Sequence, residues 1–173
     1  MLGAILAAPA LASCGEYVDK FAPTPPPSTS AQHPSTRFFS YDRASRTVIL
    51  TLIAGSSASD NAFNFDGYSG GAMTVSVPAG WTVTVQCANR GTVRHSCVIV
   101  RGHASTTPAF PGASSPDPTR GLPPGGVATF HFTPTVAGDY LVACLVPGHQ
   151  DAGMWDRFQV TRRGLPSIGF PPA

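Results

Sequence analysis

Seven short runs of alternating apolar and polar residues, at 47–52, 72–77, 82–87, 95–101, 127–132, 139–144 and 155–160, constrain this chain more than any other feature. Alternation at period two puts every second side chain on one face of an extended strand. Each run is bounded by the Gly, Pro, Asn or Ser residues that turns require. No segment repeats apolar residues at the spacing of a long amphipathic helix, and 18 Gly with 18 Pro disfavour one. The pattern predicts an all-β fold, a Greek-key β-sandwich around one core. At 173 residues, 42% hydrophobic and 12% charged, the chain has material for a single domain.

The chain outside these runs divides by composition. Residues 2–12 are apolar, end in small residues and are too short for the roughly 20 residues of a membrane-spanning helix. Residues 1–13 therefore read as a signal peptide, although no Lys or Arg supplies its usual basic start. Leu11-Ala12-Ser13-Cys14 resembles a bacterial lipobox, which would make Cys14 a lipid anchor. An ordinary cleaved signal with a chance cysteine is the alternative. Residues 14–37, with Pro23, Pro25, Pro26, Pro27 and Pro34, read as a linker, residues 38–162 as the folded domain and 163–173 as a tail. These segments predict an exported protein, periplasmic or at the cell surface, tethered to the membrane. A net charge of +2, with Lys20 the only lysine, argues against nucleic acid as a partner. A monomer is the working expectation.

Chemistry concentrates in Cys144-Leu-Val-Pro-Gly-His149-Gln-Asp-Ala-Gly-Met154, where a thiol, an imidazole and a thioether recur every five residues between two predicted strands. All three can converge on one ion. Soft sulfur donors with imidazole select copper, and two histidines, a cysteine and a distant axial methionine make the blue-copper arrangement. The remaining histidine must come from a strand remote in sequence. His95, opening the run Val93-Arg94-His95-Ser96-Cys97-Val98-Ile99-Val100, is the best candidate. The competing reading is a buried free cysteine, a turn histidine and a core methionine.

The loop residues Val146-Pro147-Gly148-His149 and Gly153-Met154-Trp155 resemble those of sulfocyanins, membrane-associated members of the cupredoxin family. Phe63-Asn64-Phe65-Asp66-Gly67-Tyr68-Ser69, Met73-Thr74-Val75, Pro78-Ala79-Gly80-Trp81 and Val98-Ile99-Val100 extend the resemblance over residues 47–160. It implies a cupredoxin sandwich with one type 1 copper ion on His95, Cys144, His149 and Met154, and a role in one-electron transfer between redox protein partners. It also implies that His149 lies edge-exposed in a small apolar docking patch beside Pro147 and Gly148. Two departures stand out. Cupredoxins commonly carry Asn after the first ligand histidine, where this chain has Ser96, whose shorter hydroxyl is expected to brace the ligand loop less well. Cys97 occupies a position that is usually aliphatic.

Cys87 and Cys97 both point inward if Val85 and His95 share the core-facing phase, and an exported protein retains disulfides, so a bridge between them is expected. Two buried free thiols are the alternative. His103 lies too far along an extended chain to replace His95. His131, between Phe130 and Phe132, and His33, in the leader, read as solvent-facing, whereas Trp155 and Phe158 read as core. The stretch 103–125, rich in Pro, Gly, Ser and Thr, is long for a structureless loop, and its role is not legible. A copper carrier or store is the rival function. Copper oxidases and nitrite reductases need further sites, typically built from His-x-His pairs that this chain lacks. Catalysis is not expected.

Overall fold

The computed structural model describes residues 37–56 and 62–170. The signal-like run, Cys14, the Pro-rich linker up to residue 36 and His33 lie outside the described residues. Among the described residues nine strands follow in chain order: β1 (Phe39–Asp42), β2 (Thr47–Ala54), β3 (Thr74–Pro78), β4 (Thr82–Asn89), β5 (Val98–Val100), β6 (Val127–Phe132), β7 (Gly138–Ala143), β8 (Trp155–Thr161) and β9 (Ser167–Gly169). They form a four-stranded sheet, β1-β2-β4-β6, and a five-stranded sheet, β5-β7-β8-β3-β9. The chain changes sheet at each connection from β2 to β7, so the predicted β-sandwich with crossover connections is what forms.

Alternation sets which face each strand buries. In β2, Val48, Leu50, Leu52 and Ala54 are fully buried while Ile49 stays 43% exposed. Val83, Val85 and Cys87 of β4, in parallel register with β2, face the same interior. Phe158 and Val160 of β8, and Val75 and Val77 of β3, close it from the other sheet. Each such side chain removed from water contributes about 1.5–3 kcal/mol, so register is strongly specified.

Structure and sequence reading differ in three places. The run predicted at 95–101 contracts to β5, because residues 95–97 pair with the 113–122 segment and not with a strand. That segment belongs to the stretch 103–125, long for a structureless loop and of no legible role in the sequence, and it caps an edge. Ile99 N–H donates to Ala113 O, Ala109 N–H to Ile99 O and Ser115 N–H to Cys97 O. Phe110, 5% exposed, packs on Phe132 and Tyr140. An uncovered edge strand would leave its backbone donors and acceptors unpaired, and turn-rich chain satisfies them with no periodic signal to reveal it. Finally, β1 and β9 form from segments too short to register by alternation. β9 pairs with β3, and Phe170 stacks on Tyr68 at 4.7 Å.

Candidate metal centre

Ala143 at the end of β7 pairs with Trp155 at the start of β8, so residues 144–154 form the excursion between two neighbouring strands. The loop is bonded to itself. His149 N–H donates to Val146 O at 3.1 Å, Ala152 N–H to Gly148 O at 3.0 Å and Gly153 N–H to Gln150 O at 3.0 Å. Met154 N–H donates to His149 O at 2.9 Å, and Cys144 N–H to Met154 O at 3.2 Å. These bonds turn Cys144, His149 and Met154 back to a common region, with Cys144 and Met154 fully buried and His149 9% exposed.

His95 reaches this region from the connection between β4 and β5. Its backbone pairs both ways with Leu122, donating at 3.2 Å and accepting at 2.7 Å. Ligand atoms of His95, Cys144 and His149 all lie within 4.8 Å of one another. Cys144 Sγ is 3.3 Å from His149 Nδ1, and the two imidazole centroids are 5.0 Å apart. Among the described residues, neither nitrogen of fully buried His95 has a hydrogen-bond partner. A buried polar atom left unpaired is costly, unless an ion takes up its lone pair. The two imidazoles, thiol and thioether fit copper, the cofactor of the blue-copper arrangement.

Ser96 connects the two halves. Its N–H lies 3.2 Å from Cys144 Sγ and its hydroxyl 3.6 Å, while that hydroxyl accepts from Leu145 N–H at 2.9 Å. The short hydroxyl therefore spans both the sulfur and the loop backbone, the bracing expected to weaken at this position. Burial pushes the Cys144 thiol up, against the hydrogen bonds from the Ser96 and Val146 backbones and the Ser96 hydroxyl. Burial, with His149 close by, pushes His95 down to about 4, and burial lowers His149 as well. The imidazoles are thereby kept neutral, the form that ligates a cation, and binding must displace the thiol proton.

Cys87 and Cys97 form the expected disulfide, joining β4 to the residue after Ser96 across a Cα–Cα distance of 6.1 Å. His131 is exposed, with Nδ1 2.9 Å from Thr84 Oγ1. His103 is exposed and stands edge-on to Trp155 at 4.3 Å. Phe158 is fully buried, whereas Trp155 is half-buried over Val98, Val100 and Ala143. Phe63, quoted above only as part of a matching segment, lies 4.6 Å from the His149 ring and 6.3 Å from that of His95. Its shielding of the imidazoles carries no sequence signal, since a half-buried phenylalanine in a turn looks like ordinary packing. Asn64 supports it, its carbonyl accepting from Ser56 N–H at 3.1 Å and Gly67 N–H at 3.2 Å.

Residues 34–117 and 110–163 match the sequence profile of the Sulfocyanin (SoxE) domain. The sulfocyanin of Sulfolobus acidocaldarius is 33% identical over 128 residues, 66% of this chain and 64% of that protein. The copper-resistant cuproprotein CopI of Rubrivivax gelatinosus is 33% identical over 87 residues, 47% of this chain and 53% of that protein. The match thus spans less than two thirds of either relative's length. Among solved structures, a rusticyanin superposes with a TM-score of 0.53 at 21% identity, covering 75% of this chain and 86% of the other. Auracyanin B gives a TM-score of 0.50 at 22% identity over 76% and 99%. At these identities the likeness bears on the fold alone.

Proposed function

This chain belongs to the sulfocyanin family, and from that premise we propose that it carries single electrons outside the cytoplasm on one type 1 copper ion held by His95, Cys144, His149 and Met154. The observation that carries the reading is the convergence of His95, Cys144 and His149 within 4.8 Å, with buried His95 lacking any hydrogen bond. Bound there, copper would supply a one-electron couple between its cupric and cuprous forms.

The protein's part is to hold the donors still. His95, Cys144 and Met154 are fully buried in a sandwich whose packing resists rearrangement, so one geometry serves both oxidation states. Ser96 directs its N–H and hydroxyl at the Cys144 sulfur and stabilises negative charge there, which tunes the potential. His149 is the least buried of the four, with exposed Pro147 and Gly148 beside it and Phe63 against its ring. That edge is the exit for electrons, and a small apolar patch suits brief docking of redox partners, whose interfaces sit at the low end of size.

The Cys87–Cys97 disulfide supports an oxidising compartment, in line with the signal-like run, Cys14 as lipid anchor and a spacer from 14 to 37. Loading with cupric copper tests the reading. An intense visible copper–thiolate band and reversible one-electron voltammetry without metal loss are expected. Tight, stoichiometric, colourless copper would replace electron transfer with copper carriage. His149→Gly should open the copper to outside ligands and slow transfer to a protein partner, and unchanged transfer kinetics would exclude this exit.

A further inference from the structure

A ligating histidine usually donates its second ring N–H to a carboxylate, carbonyl or water, which fixes the ring. Buried His95 has no such acceptor at Nε2 among the described residues. Its Nε2–Cδ2 edge rests on bare backbone. A Cβ built on Gly91 would lie 2.8 Å from Nε2 and 3.1 Å from Cδ2, closer than such contacts tolerate. One on Gly55 would lie 3.3 Å from Nε2 and 2.6 Å from the Gly91 Cα, so the two glycines stack behind the ring. The opposite edge, carrying Nδ1, is left for the cluster.

The position of Gly91 is itself set by a buried side chain. Asn89 is fully buried at the end of β4, and its carbonyl accepts from Gly91 N–H at 2.9 Å. Its amide donates to Val93 O at 2.8 Å and to Leu122 O at 2.9 Å. Leu122 is the residue whose backbone pairs both ways with His95. One side chain therefore references both the support behind the imidazole and the strand that bears it.

We infer that Gly91, backed by Gly55 and anchored by Asn89, is the positioning residue that orients His95 by shape in place of a hydrogen bond, an inference that rests on His95 serving as a ligand. Gly91 lies outside the left-handed region, so alanine there is conformationally allowed, and the nearest atoms its methyl meets belong to the His95 ring and Asn89. Gly55, at φ +66°, would add backbone strain and is the poorer probe. Gly102, with open space around its Cβ direction and ordinary φ, is the control.

In copper-loaded protein, Gly91→Ala should change the visible and electron paramagnetic resonance spectra, shift the potential and weaken copper binding about tenfold or more, in the range of lost outer-shell support. Gly102→Ala should leave all three unchanged. Unaltered spectra, potential and affinity in Gly91→Ala would overturn the inference. A second test needs no metal. In the metal-free protein Gly91→Ala should lower the unfolding midpoint by about 5 °C or more, the scale of an overpacked site in a small domain. In a His95→Ala background the methyl has room, and that loss should disappear. Equal losses in both backgrounds would sink the seat, whereas a wild-type protein without a type 1 spectrum would sink the copper reading and leave this cycle to judge the seat alone.

Discussion

The loop 144–154 and the segment 89–97 deliver donors to the same point by opposite means. The loop closes on itself through five backbone hydrogen bonds between residues at most ten apart, so one turn brings Cys144 and His149 to the cluster. The segment 89–97 is held from farther along the chain, to Leu122 from His95 and Asn89 and to Ser115 from Cys97, with the Cys87–Cys97 disulfide added at a separation of 10. A site preorganised half by local and half by long-range contacts responds unequally to perturbation. Local turns survive a loosened sandwich, and the remote histidine does not.

Removing a donor from the loop gives the largest effect. Cys144→Ser should abolish the visible band outright with little change in the melting of metal-free protein, and a retained band would reassign the thiolate. Next comes a pair of buried carboxyls, Asp66 and Asp156. Asp66 accepts from Ile53 N–H, and Asp156, two residues after the loop, accepts from Met73 N–H, each at 2.9 Å. Burial pushes both up to about 7, Asp66 adding repulsion to Asp156. A folded pKa above the ordinary 3.8 means that stability is fully present below about 3.8 and lost as pH rises through about 7. For Asp66 this is on the order of 4 kcal/mol at most. At equal copper loading, the melting temperature of Asp66→Asn relative to wild type should rise between pH 4 and pH 8, and a constant difference would remove Asp66 from the account. In metal-free protein His95 opposes the Asp66 trend, since a pKa lowered from 6.5 to about 4 contributes stability above pH 6.5 that is lost as pH falls through 4.

The disulfide ranks third and acts on the remote segment only. Cys87→Ala with Cys97→Ala should cost about 3 kcal/mol in chemical denaturation, as expected for a loop of this length. Copper affinity should fall with it while the band position, set by the loop, moves little; a large band shift would mean that the two regions are not separable. Smallest is Ser96→Ala, which removes one hydroxyl from the junction. It should cost about 1 kcal/mol in stability and lower the potential measurably, because the sulfur loses a donor. An unchanged potential would show that the Ser96 N–H alone suffices.

The same division governs what could be read in advance. The 144–154 motif was legible because its donors recur within eleven residues and a turn between neighbouring strands must bring them round. Strands β2, β4, β6, β7 and β8 were legible because their alternation is local, and β6 emerges with the bounds expected for it. Residues 103–125 were not, because pairing an edge with irregular chain leaves no period. Phe63, Asn89 and Gly91 were missed for the same reason: their neighbours at the site are 4 to 86 residues away, and no composition marks such contacts.

By itself the sequence determined an all-β sandwich and the chemical kinds of donor at one site, because alternation and side-chain chemistry are properties of each short segment. Only the tertiary structure decided which face His95 turns to the cluster, that Ser96 bridges it to Cys144, and that a turn-rich stretch seals β5. Those outcomes depend on backbone from separate strands meeting within hydrogen-bond distance, and such meetings are set by packing the two sheets against each other.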